Sequence, residues 1–247
     1  MTNPRTALVT GGSRGIGGAI AERLAAEGYS LTIAARQEAA LLDAAQRLRK
    51  VHGVEVHTVV ADMTDEDQVR ALGAAHAERF ERLDVLVLAA GLGTAGPVAT
   101  MSKKTLELML NVNLRAPIAL LQETLPQLRK SAALEPGRGA KVIALASMAG
   151  VAGEAGLAAY GATKAALISL CETLSLEESS AGVAATAISP GYVDTDMTAW
   201  KRSQLDQAAM LTTGDIAEMA MAITRLSSNA VVPNIVISRA GSELWRA

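Results

Sequence analysis

Aromatic side chains are scarce in this chain of 247 residues, with three tyrosines, two tryptophans and one phenylalanine. Each ring in such a sequence calls for a reason. Charge of one sign is missing too. The formal net charge is -2 and charged residues of both signs are spread along the chain, so there is neither a basic footprint for nucleic acid nor an acidic tail. A single cysteine, Cys171, excludes an internal disulfide framework and agrees with a reducing compartment. It lies in the apolar stretch "ALISLCETL" with no neighbouring His or second Cys, and reads as a buried, inert thiol rather than a metal ligand. Long hydrophobic runs are absent as well. The start "MTNPRTALVTGG" lacks an apolar run of signal length, and the longest uncharged stretch, 85–102, is broken by glycines and a proline. The expected setting is the cytoplasm, with no membrane partner.

Half of the residues are hydrophobic, enough for a substantial core in one large domain. Short apolar runs occur at 6–10, 30–35, 54–60, 84–90, 140–146, 183–189 and 234–238. Most are continuous and rich in Val, Ile and Leu, which suits strands covered on both faces. Helical patterns lie between them near 15–27, 37–51, 65–79, 103–130, 159–180 and 215–227. This alternation predicts an α/β fold: one domain spanning 1–247, a doubly wound, parallel, seven-stranded sheet with helices on both faces. The longest unpatterned segment, about 193–213, is expected to be functional.

The first strand runs into "TGGSRGIG" (10–17). Gly11, Gly15 and Gly17, with Ser13, Arg14 and Ile16 between them, follow a strand and open a helix. Glycines there allow a tight turn and let backbone N–H groups approach a pyrophosphate at the helix N-terminus. The second strand ends "IAARQE", with Ala35 where a carboxylate for ribose hydroxyls is expected and Arg36 next to it. Two guanidiniums, Arg14 and Arg36, suit a ribose 2′-phosphate, so NADP(H) is favoured over NAD; the alternative is a pair of ordinary surface arginines. In "VVADMTD", Asp62, beside Met63, is placed to meet an adenine edge or to serve as a turn or helix-cap residue.

The stretch "AAYGATK" puts Tyr160 four residues ahead of Lys164, a spacing that shares one helical face. Tyr160 is either a core filler or a proton carrier tuned by Lys164. A nearby ammonium is expected to lower the phenol's pKa. Gly161 and Ala162 are expected to leave room for a flat ring and a substrate.

Taken in order, "TGGSRGIG", "NVNL" (111–114), "ALASMAG" (144–150) with "YGATK" (160–164), and "SPGYVDTDM" (189–197) resemble the short-chain dehydrogenase/reductase family across nearly the whole chain. Ser147 precedes Tyr160 by thirteen residues, the family's usual spacing. The resemblance implies a Rossmann fold and a nicotinamide-dependent oxidoreductase acting on a carbonyl or alcohol. It implies a catalytic set of Asn113, Ser147, Tyr160 and Lys164. Thr195 would hold the nicotinamide amide, Pro190 and Gly191 would wall its pocket, and Val193 would add a backbone contact. Ser147 would donate to the reacting oxygen, Lys164 to the nicotinamide ribose, and Asn113 would bind a water linking Lys164 to solvent.

Two places depart from the family pattern. "LAAG" (88–91) replaces "NNAG", keeping Ala90 and Gly91 beside the adenosine but losing a side-chain hydrogen bond. The C-terminal "RAG" (239–241) is a poor match to the usual "DGG"-like turn. A homodimer or homotetramer through the helices at 103–130 and 160–180 is the expected assembly. Met197, Trp200, Leu205 and Met210 are expected to face the substrate, with Gly153, Glu154 and Leu157 on the opposite wall. The leading expectation is NADP(H)-dependent reduction of a ketone or 3-oxoacyl carbonyl. The alternatives are alcohol oxidation and a non-catalytic NADP-binding sensor on the same fold.

Overall fold

The computed structural model describes residues 4–241. Seven parallel strands form one sheet in the order β3-β2-β1-β4-β5-β6-β7. They are β1 (Thr6–Thr10), β2 (Ser30–Ala35), β3 (Val56–Val60), β4 (Val85–Leu88), β5 (Ala140–Leu145), β6 (Val183–Pro190) and β7 (Asn234–Ile237). The period of two along a strand sends alternate residues to opposite faces. Leu8 enters one core while Ala7 and Val9 enter the other. On the Leu8 side the sheet is covered by α3 (Glu66–Arg79), α5 (Ala116–Leu134) and α6 (Ala158–Glu178). On the other lie α1 (Gly15–Ala26), α2 (Glu38–His52) and α7 (Thr213–Thr224). Continuous apolar strands were therefore the correct sign of a two-sided sheet, where each fully buried Leu or Ile contributes about 2 kcal/mol.

The helix expected over 103–130 is interrupted. It comprises α4 (Lys103–Leu110), a π-helical segment (Asn111–Arg115) and α5. Such wide turns concentrate at functional sites, and this one carries Asn113. The fourth strand is also shorter than expected. Ala89 and Ala90 leave the ladder because their N–H groups donate to the Thr10 hydroxyl, at 3.0 and 3.1 Å. The 193–213 segment is not structureless. Parallel pairing of Val193 with Leu211 closes its base, and two 3₁₀ helices, Asp196–Ser203 and Gln207–Ala209, lie within it. The "RAG" segment does turn, with Gly241 at φ 75°; the "SELWRA" end lies outside the described residues. No helix among the described residues is long and apolar enough to cross a membrane.

Strand order reverses between β1 and β4, whose carboxyl ends therefore open a crevice between their two following loops.

Candidate active site

The glycine turn forms the floor of that crevice. A Cβ on Gly11 would stand 3.1 Å from the Ala90 backbone, and one on Gly17 would stand 2.4 Å from the Gly11 carbonyl. Glycine here lets three backbone segments pack closer than any side chain permits. Arg14 occupies the N-cap of α1 but makes no side-chain cap there, so no side chain competes for the helix's first N–H groups. Its guanidinium instead pairs with Asp196 at 2.7 Å, both groups exposed, joining the glycine turn to the 193–213 segment. Arg36 is exposed just beyond β2. Asp62 is a turn residue: its Oδ1 accepts from the backbone and the hydroxyl of Thr64, both at 2.9 Å. The helix-cap role falls to Asp65, which accepts from the Gln68 N–H. Met63 is buried beside it.

The side-chain hydrogen bond missing from "LAAG" is replaced from β1. The Thr10 hydroxyl accepts from Ala89 and Ala90 and thereby holds the turn open beside Gly11. Gly91 then sits against the other residues of interest: a Cβ on it would lie 3.4 Å from Lys164 Nζ and 3.6 Å from Asn113 Oδ1.

Ser147, Tyr160, Lys164 and Asn113 come from β5, α6 and the π segment. The Ser147 hydroxyl accepts from the Ala149 N–H at 3.2 Å, starting a short 3₁₀ turn, Met148–Gly150. It also stands close enough to Tyr160 to favour the phenolate. Burial is the larger influence, however, and the Tyr160 pKa is raised above its ordinary 10.0. The expected lowering by Lys164 is not seen. The Lys164 ammonium lies 5.7 Å from the centre of the Tyr160 ring and donates to the Leu145 carbonyl at 2.7 Å. Complete burial pushes its own pKa down to about 8. Desolvation, which disfavours both charged forms, outweighs their mutual attraction.

The Asn113 carboxamide is almost fully used by protein. It accepts from the Leu92 N–H at 2.9 Å and donates to the Leu92 carbonyl at 2.8 Å and to the Thr163 hydroxyl at 3.0 Å. Thr163 in turn donates to the Tyr160 carbonyl at 2.8 Å. Asn113 thus ties the loop after β4 to the first turns of α6, rather than offering its side chain chiefly to water.

Gly161 borders a recess together with Ala162, but it is also a packing contact. A Cβ on it would stand 2.5 Å from the Ala149 carbonyl, and one on Gly150 would stand 2.7 Å from the backbone of Lys164 and Ala165. The paired glycines press the Ser147 turn onto α6 backbone to backbone. The register of Ser147 with Tyr160 follows from that contact.

Beyond these groups, Pro190 ends β6 and the Gly191 N–H donates to the Ile237 carbonyl at 2.9 Å. Val193 is buried, and its carbonyl accepts from Thr198 at 2.5 Å. Thr195 caps the 3₁₀ helix in a reciprocal box with Thr198 and approaches Gly15. Met210 is buried in the fold, whereas Met197 and Trp200 are about half exposed. Thr10, Thr163 and Tyr192 were not singled out from sequence. The scarcity of aromatics was a usable signal for Tyr192, one of three tyrosines; two threonines among many carried none. Cys171 is buried, and burial pushes its thiol up to about 12, in keeping with an inert role.

A family model described as short chain dehydrogenase matches residues 5–206. An uncharacterized oxidoreductase of Staphylococcus saprophyticus is 32% identical over 237 residues, covering 94% of this chain and 96% of its own. A 3-oxoacyl-(acyl-carrier-protein) reductase of Staphylococcus aureus is 31% identical over 234 residues, covering 93% of each chain. Among solved structures, an alcohol dehydrogenase from the archaeon Thermococcus sibiricus, complexed with 5-hydroxy-NADP, superposes with a TM-score of 0.87 at 28% identity, covering 98% of both chains. A short chain dehydrogenase from Burkholderia cenocepacia in complex with NADP gives a TM-score of 0.83 at 30% identity, covering 95% of this chain and 96% of that one. With the glycine turn at the switch point and Ser147 beside Tyr160 at the sheet's carboxyl end, this chain belongs to the short-chain dehydrogenase/reductase family of oxidoreductases.

Proposed function

We propose that this chain uses NADP(H) to reduce a ketone or 3-oxoacyl carbonyl to an alcohol. The observation that carries the reading is the Ser147–Tyr160 pair, with Tyr160 held protonated by burial at the carboxyl end of β5.

The residues present fit the dinucleotide. Gly11 and Gly17 keep open a cradle that a Cβ would fill, and the first turn of α1 has no acidic side chain to repel a pyrophosphate. Arg14 and Arg36 offer the positive charge that a 2′-phosphate requires, with Ala35 standing where a repelling carboxylate is otherwise found. Thr195 and Val193 would border the nicotinamide, and Lys164 its ribose. Bound there, NADPH would supply the hydride.

The chain's own groups account for the rest. Ser147 donates a hydrogen bond to the carbonyl oxygen, where negative charge develops during reduction. Tyr160 delivers its proton to that oxygen, and the raised pKa makes the neutral acid its resting form. Lys164, near half-charge around pH 8, stabilises the phenolate left behind. Asn113 and Thr163 keep α6 against the loop after β4, which fixes where that proton is presented. The homodimer or homotetramer belongs to the same proposal, supported by exposed Leu106, Leu108, Ile118 and Leu176 on α4, α5 and α6.

The test replaces Tyr160 by Phe and follows NADPH oxidation against a carbonyl panel, with thermal shift measured for NADPH and NADH. Turnover is expected to fall at least about 100-fold. Stabilisation by NADPH is expected to persist and to exceed that by NADH. Retained turnover in the variant would overturn the assignment of Tyr160. Stabilisation without oxidation by the parent across the whole panel would favour a sensor.

A further inference from the structure

The segment joining Ser147 to Tyr160 contains one ionisable side chain, Glu154. Its Oε1 accepts a hydrogen bond from the Tyr192 hydroxyl at 2.6 Å and lies 3.9 Å from Lys201 Nζ. Lys201 itself sits over the rings of Tyr192 and Trp200, at 4.9 and 5.5 Å. Tyr192 follows the Pro190–Gly191 turn, and its phenol is near enough to Tyr160 for the two to interact electrostatically. Glu154 therefore stands on the side of the site where a substrate's substituents would lie. The carboxylate also borders a recess of about 340 Å³ shared with Gly153, Leu157, Ala158 and Gly161, the last of these next to Tyr160 in sequence.

The two oxygens differ. Oε1 is supplied by Tyr192 and Lys201. Oε2 is buried, and no donor among the described residues reaches it. A carboxylate oxygen left without donors loses its hydration and gains nothing in exchange. A ligand that brings a donor removes that deficit. An apolar substituent leaves it in place, and an anionic one adds repulsion.

We propose that Glu154 is a specificity-determining residue whose Oε2 accepts a hydrogen bond from a donor carried by the carbonyl substrate, a hydroxyl or an ammonium near the reacting carbon. The inference rests on the reductase reading and names a substrate class for it: hydroxy- or amino-substituted ketones in preference to unsubstituted or carboxylate-bearing ones. Discrimination is asymmetric in such sites. A pocket built to bond a polar hydrogen rejects the analogue that lacks it more strongly than an apolar pocket rejects an extra one.

The experiment measures kcat/KM for NADPH oxidation with a matched set of ketones, one unsubstituted, one hydroxylated and one aminated, for the parent, Glu154→Gln and Glu154→Ala. The quantity read is the ratio between ketones, which does not depend on how much of a variant is folded. The parent is expected to prefer at least one donor-bearing ketone by about tenfold. That ratio is expected to fall to within about twofold in Glu154→Ala. In Glu154→Gln a hydroxyl-directed site keeps part of its preference, because an amide oxygen still accepts, whereas an ammonium-directed site loses it with the charge. A parent without preference, or variants that slow all three ketones equally and keep the ratio, would assign Glu154 to bracing the Tyr192 segment and overturn the proposal. A parent that oxidises NADPH with none of the ketones, nor with any carbonyl of the wider panel, removes the reductase reading and this inference with it. Turnover without preference removes only the inference.

Discussion

Replacing Gly161 by Ala should stabilise α6 by ordinary helix propensity, by about 1 kcal/mol. The structure predicts the opposite balance. The added Cβ would stand 2.5 Å from the Ala149 carbonyl oxygen, whereas ordinary contact begins near 3.4 Å. The two backbone segments must therefore part by about 0.9 Å. Neither neighbour is the far end of a flexible side chain, so the strain is not relieved by a rotamer change. Overpacking of this kind typically costs about 1–3 kcal/mol, which cancels or exceeds the propensity gain. In a chain of this size each kcal/mol moves Tm by about 2–4 °C, so Tm should fall slightly or stay level rather than rise. The catalytic consequence is larger. Ala149 is two residues from Ser147 and Gly161 is next to Tyr160, so the opening falls between the two hydroxyls. A misplacement near 1 Å in reacting groups costs about 100-fold in rate. Gly161→Ala should therefore lose about 100-fold in kcat while its thermal stabilisation by NADPH is unchanged, because the glycine turn at 10–17 is untouched. Turnover within threefold of the parent, with a raised Tm, would refute the view that the glycine contact sets the Ser147–Tyr160 register.

Two further predictions concern groups that the mechanism does not consume. His76 is fully buried, accepts from Thr32 at 2.7 Å through Nδ1 and donates to the Arg82 carbonyl at 3.1 Å through Nε2, and burial lowers its pKa to about 4. Below its ordinary value of 6.5 the unfolded chain binds a proton that the folded chain refuses, so stability should fall as pH drops from 6.5 toward 4, by up to about 1.4 kcal/mol per pH unit. Denaturant unfolding at stepped pH should show this slope in the parent and its reduction in His76→Gln; equal slopes would refute it. Asn113→Ala leaves the Leu92 N–H and carbonyl and the Thr163 hydroxyl without their partner, and should cost about 2–4 kcal/mol in equilibrium unfolding together with a fall in kcat. Unchanged stability would show that the carboxamide does not fasten the two segments.

The sequence by itself determined the architecture. Short Val-, Ile- and Leu-rich runs alternating with helical patterns leave few alternatives to a parallel sheet covered on both faces, because each strand must bury both sides. It also placed the glycine turn and the candidate set of Ser147, Tyr160, Lys164 and Asn113, since these are short motifs of fixed spacing. Only the tertiary structure decided how they act on one another. Spacing put Tyr160 and Lys164 on one helical face, but the sign of the tyrosine's shift depended on burial, which a local motif does not contain. Gly161 and Ala162 border a recess, but that Gly161 is also a packing contact was hidden from the sequence, because its neighbour, Ala149, arrives from the end of another strand. The Thr10 hydroxyl that props the "LAAG" turn, the Asn113 bond to the Thr163 hydroxyl and the Tyr192 bond to Glu154 join residues distant in sequence. Local pattern records which residues are present along one element. Desolvation and cross-chain hydrogen bonding exist only once the elements have packed, and those two effects fixed the character of this site.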